Sequence, residues 1–161
     1  LRAWADYMVP RYFELQLIES IYLSNRMKKS LTSRNREEII ERAVGNCRTA
    51  RRLAQSPAVT SAEELERCYL RENLPCPQFR EEACLLPQYR PLSCRLDGLS
   101  ETIGTLPETE DILASLSRSV FLALSGALPG ESLFRASLDD VVSGRFIRTY
   151  SHYFRSLGSE R

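Results

Sequence analysis

An all-α fold, a bundle of six or seven helices around one apolar central helix at about 107–128, is what this 161-residue sequence predicts. Three observations lead there. Apolar residues recur at spacings of three and four along most of the chain, as one face of a helix requires. The periodic segments are bounded by helix-capping and helix-stopping residues. Alternation of apolar and polar residues is confined to short runs such as Phe13 to Leu17, too short a signal to predict a sheet.

The first helix is placed from Pro10, a favoured first helical residue. In PRYFELQLIESIYLSNRMKKSL, Phe13, Leu17 and Ile21 form one apolar line and Leu15, Ile18 and Tyr22 another, a wider apolar face than a surface helix needs. A second helix is expected after Ser33-Arg34-Asn35, with Asn35 and Glu38 as its cap. Its inward stripe is read as Ile40, Ala43, Val44, Cys47, Ala50 and Ala54, and Pro57 stops it. Thr60 or Ser61, with Glu63 or Glu64 following, caps a short third helix that ends near Arg71.

Between Asn73 and Pro107 the character changes, because five of the eight prolines fall there. The region reads as a proline- and cysteine-rich loop belt at about 73–106, in which FREEACLL makes about two helical turns. Thr105-Leu-Pro-Glu108 is a capping box, and the helix it opens runs through Ile112, Leu116, Val120, Phe121 and Leu124. Its second half, SVFLALSGAL, is apolar on all sides, which predicts a helix surrounded by others. After Pro129-Gly130, a segment from Ser132 to Val142 closes at Gly144. A last helix then turns Phe146, Tyr150, Tyr153, Phe154 and Leu157 inward and stops at Gly158. The length suits a single helical domain over 1–161. A start at Leu1 reads as a domain excised from a larger protein, and no apolar leader follows it. The apolar run between Arg118 and Glu131 has twelve residues, too few to span a bilayer.

The chemistry-bearing residues are sparse. Cys68, Cys76, Cys84 and Cys94 crowd into the belt and Cys47 lies alone, but none forms the closely spaced pair that zinc sites use, so no metal is expected. An odd cysteine count and no glycosylation sequon point to free thiols in an intracellular compartment, cytoplasmic or nuclear. His152 is the one histidine, and Asp139-Asp140 and Glu81-Glu82 are adjacent pairs whose side chains diverge on a helix. Phosphate-cradling glycine loops, nucleophile elbows and metalloprotease motifs are missing, so no catalytic residue and no cofactor is assigned.

What remains is charge. Twenty of the 22 cations are arginine, in a chain of net charge +1. Residues 1–56 hold eleven Lys/Arg and six Asp/Glu, while the remainder holds eleven Arg and fifteen Asp/Glu. Arg42, Arg48, Arg51 and Arg52 on the second helix, with Lys28 and Lys29 before it, are the candidate binding residues. Arginine suits both protein hot spots and bidentate pairing with carboxylates or phosphates. The expected function is a non-enzymatic helical protein–protein interaction module, adaptor or regulatory, for a partner with an acidic or helical surface. A nucleic-acid-associated domain using the basic N-terminal helices is the alternative, and a small secreted helical factor with disulfides the second.

Overall fold

The computed structural model describes residues 14–96, 107–126 and 135–151, and over these the chain is mostly helical with two very small sheets. It opens on β1 (Glu14–Gln16) and continues directly into α1 (Leu17–Ser30). The helix expected from Pro10 therefore begins at Leu17, and positions 10–13 lie outside the described residues. The Glu19 carboxylate accepts the Gln16 N–H at 3.2 Å, which fixes the helix start. Leu15 was counted into a helical line but is extended and fully buried, paired across the sheet with Ala136.

Helix α2 (Ser33–Ala54) is capped by Thr32, whose hydroxyl accepts the Asn35 N–H at 3.2 Å. Its inward line is Ile39, Ala43, Asn46 and Cys47. Ile40, assigned inward from the sequence, is exposed. The polar residue Asn46 occupies the buried line instead, because its amide donates to Pro75 O at 3.1 Å and to Asp139 at 3.0 Å. Helix α3 (Ala62–Arg71) starts as expected: the Ser61 hydroxyl accepts the Glu64 N–H at 3.2 Å.

The belt contains a hairpin where FREEACLL was expected to be helical. Strands β2 (Phe79–Arg80) and β3 (Ala83–Cys84) pair antiparallel through a two-residue turn, Glu81-Glu82. Both glutamates have positive φ, 48° and 65°, the geometry of a type I′ turn that normally recruits Asn-Gly. The Glu81 carboxylate accepts from Arg80 Nε at 3.1 Å, an exposed contact that offsets little of the cost of the left-handed conformation. Replacing Glu81-Glu82 with Asn-Gly is expected to raise stability by about 1 kcal/mol in urea denaturation, net of the extra freedom glycine gives the unfolded chain. An unchanged or lower midpoint would show that these backbone angles carry no strain.

A 3₁₀ turn (Pro87–Tyr89) and α4 (Leu92–Leu96) follow. Both are held to α1. Glu19 accepts the Leu92 N–H at 2.9 Å, and the Arg26 guanidinium lies 5.0 Å from the ring centroids of both Tyr22 and Tyr89. Helix α5 (Pro107–Ser125), strand β4 (Arg135–Ser137), α6 (Leu138–Val142) and a helical run α7 at 146–151 complete the described chain. Strand β4 returns antiparallel to β1. Gly144, at φ +75°, allows the turn between α6 and α7, where the sequence placed a stop. The Thr105–Glu108 capping box, Pro129, His152 and the inward residues assigned beyond 151 fall wholly or partly outside the described residues.

The largest correction concerns the central helix. Helix α5 buries Ser117 and Phe121, but Ile112, Leu116, Leu122 and Leu124 are exposed. One face of α5 meets α1 and β1; apolar content on every side marks a helix that has unpartnered surface, not one that is enclosed. The element at the centre of the described residues is α1, which packs on α5, α6 and β4. Its Leu17, Leu23 and Met27 join Leu31, Ile39, Ala43, Leu86, Phe121, Leu138, Val141, Val142 and Phe146 in one core. No helix among the described residues is long and apolar enough to cross a membrane.

Candidate functional site

The six basic residues picked from the sequence divide into three groups. Arg42 is half-buried, and its Nη1 donates to the backbone carbonyls of Pro77 and Phe79. It clamps the belt onto α2 and is not part of a binding face, which corrects its assignment. Arg42→Ala is expected to cost about 1–3 kcal/mol, since two carbonyls lose a charged donor. Arg42→Lys should not restore it, because an ammonium lacks the planar fork. Thermal denaturation of both variants checks this, and a lysine variant of full stability would contradict the clamp.

Lys28 and Lys29 are exposed in the last turn of α1, and neither has an ion pair among the described residues. Arg48, Arg51 and Arg52 are exposed near the other end of α2, about 22 Å or more along that helix from its first residue, Ser33. The exposed Glu37 and Glu41 stand between them. The structure thus separates the expected basic face into two patches. In the distal one, Arg52 pairs with Glu72 at 3.3 Å, an exposed contact of small energetic weight.

Beside Arg51 lies a pocket of about 170 Å³ that sequence reasoning missed. At its base Asp139, the second residue of α6, is buried. Its two oxygens accept from Tyr69 Oη at 2.6 Å and from Asn46 Nδ2 at 3.0 Å. Burial pushes the Asp139 carboxyl above its ordinary value despite these two donors, and the neighbouring Asp140 adds to the rise. Asp140 accepts from the Ser137 hydroxyl at 2.8 Å and pairs with Arg145 at 3.5 Å. Cys47 Sγ lies 3.6 Å from Asp140, and burial, Asp140 and Asp139 push its thiol up to about 11. A thiol so shifted is protonated at neutral pH and a poor nucleophile. The polar groups of this pocket satisfy one another and join α2, α3 and α6. The only sequence signal was the Asp139-Asp140 pair, and the partners of Asp139 lie 70 and 93 residues away.

A second depression is apolar and larger, about 370 Å³. Leu17, Ile21, Ser24, Asn25 and Lys28 form its α1 wall, with Leu124 of α5 and Phe146, Ile147 and Tyr150 of α7 opposite. Leu124 is 60% and Ile147 51% exposed, high values for large apolar side chains. Compared with protein families, curated proteins and solved structures, the chain matches none. The assignment of function therefore rests on these surfaces alone. Leu122, Leu116 and Ile112 of α5 are exposed as well, Ile112 and Leu116 one turn apart on a single face. Sequence reasoning had placed this same helix in the interior, so the signal was present and given the opposite meaning.

The belt thiols are free, as is Cys47. Burial, with smaller contributions from neighbouring thiols and carboxylates, pushes Cys76 up to about 11 and Cys94 to about 12. Among the described residues no group of three His, Cys, Asp or Glu is arranged to hold a metal ion.

Proposed function

We propose that this protein is a non-enzymatic, intracellular helical interaction module that binds another protein, in an adaptor or regulatory role. The observation that carries the reading is the exposed apolar surface of α5 and α7, where Ile112, Leu116, Leu124 and Ile147 are about half exposed or more. Contiguous exposed apolar surface on a small protein marks interaction sites. The polar pocket at Asp139 supports a non-catalytic reading, because its thiol is protonated and its carboxylates are held by internal donors. Five free thiols fit a reducing compartment, cytoplasmic or nuclear.

Arg48 and Arg51 have no ion pair among the described residues, which favours an acidic contact at the end of α2 and keeps nucleic acid as the second reading. The two readings separate in one affinity-capture experiment with and without nuclease. For a protein partner, capture survives nuclease, is lost in Ile112→Asp/Leu116→Asp or in Leu124→Asp/Ile147→Asp, and is weakened without being lost in Arg48→Glu/Arg51→Glu. For nucleic acid, capture disappears with nuclease, falls log-linearly with salt and is abolished by the arginine reversals. Capture unaffected by any apolar substitution would overturn the proposal.

A further inference from the structure

Resting on the interaction reading, we infer that the groove between α1, the end of α5 and α7 receives an acidic amphipathic helix of a partner protein. Three observations set that occupant. The α1 wall is a helical stripe at positions 17, 21, 24, 25 and 28, about 16 Å long by the rise per residue. That is three turns, the length over which a second helix can lay an i, i+4, i+7 set of anchors. All lining residues belong to helices, so the walls offer no open backbone edge for an added strand. The groove is also graded. Along the α1 wall, Leu17 and Ile21 give way to Ser24, Asn25 and the cationic Lys28, with Leu124, Phe146 and Ile147 supplying apolar surface opposite.

Lys28 is exposed and without an ion pair among the described residues, and Lys29 is beside it. The complementary ligand carries aliphatic side chains over two turns and a carboxylate in the third, set against the Lys28 ammonium. The apolar part supplies affinity by covering Leu124 and Ile147, and the acid sets register and direction, as rim charges commonly do.

The test uses the full chain and three labelled amphipathic helical peptides of one aliphatic pattern, with glutamate, lysine or glutamine in the third turn. Fluorescence anisotropy is expected to rank glutamate first and lysine last. Lys28→Glu should weaken the glutamate peptide about five- to tenfold and restore the lysine peptide to a similar degree, the range for a surface charge reversal. Ile147→Asp should abolish all binding. Both residues are exposed, so circular dichroism of each variant should match the parent. Equal affinities for the three peptides, unmoved by Lys28→Glu, would overturn the acidic assignment and leave the interaction reading standing. Binding of oleate that displaces the glutamate peptide would overturn it in favour of a lipid. No binding of any peptide overturns the groove as a helix site; the interaction reading then falls only if the α5 substitutions also leave partner capture unchanged.

Discussion

Phe121→Ala is expected to lower the unfolding free energy by about 3–5 kcal/mol, from lost apolar burial plus the cavity left behind. The ring is 2% exposed and meets the Tyr150 ring edge-on, with centroids 5.8 Å apart at 81°. Among the described residues, this helix has few other anchors: Ser117, whose hydroxyl accepts the Ile18 N–H at 3.3 Å, the Glu110 carbonyl, which accepts from Gln16 Nε2 at 3.5 Å, and the half-buried Val120. Losing Phe121 should therefore release α5 and α7 together. Phe121→Leu, which keeps most of the volume, should cost under about 1.5 kcal/mol. Urea denaturation of the two variants provides the measure. An alanine variant as stable as the leucine one would mean that α5 is held by something other than its buried line.

Those few anchors also explain what could be read from the chain. Helices α2 and α3 are local objects. Their periodicity, the Ser61 cap and Pro57 all act within a few residues, and the predicted all-α class holds. The failures lie where the deciding contact is distant. The Glu81-Glu82 turn lacks the Asn-Gly signature, so nothing local announced the hairpin. Asn46 displaced Ile40 from the buried line of α2 because its partners, Pro75 and Asp139, lie 29 and 93 residues away. The apolar surround of α5 marked exposure and not enclosure, a distinction that composition does not contain.

The arginine excess belongs to the same lesson. Arg26 packs over a pair of tyrosine rings that touch each other, and Arg36 donates to Lys28 O at 2.8 Å at the end of α1. Arg42 holds two belt carbonyls, Arg80 joins Asn35 and Glu38, and Arg95 donates to Gln88 O and Arg90 O. These contacts use a planar, multi-donor fork that lysine does not have. Much of the arginine is spent on fastening loops to helices in a chain with little regular structure between 72 and 92, while Arg48, Arg51, Lys28 and Lys29 are among the exposed cations that make no ion pair with the described residues.

Asp139→Ala is the second large effect, about 2–4 kcal/mol, because it removes the carboxylate that accepts from both Tyr69 and Asn46. Asp139→Asn is the more informative change. The amide can accept from Asn46 and donate to Tyr69 Oη, so the links among α2, α3 and α6 persist while the charge goes. Burial holds the folded carboxyl above the model-peptide value of 3.8. The folded state thus binds this proton more tightly than the unfolded state does. Its contribution to stability is greatest below 3.8 and falls as pH rises through the raised folded value, then stays constant. This is opposite in sign to a carboxylate with a lowered value such as Glu64, which loses its contribution as pH falls. The stability of the parent minus that of Asp139→Asn, taken from denaturation curves across the acid range, should therefore decline with rising pH and level off. Parallel curves would show that the Asp139 carboxyl is not raised, its two donors offsetting burial.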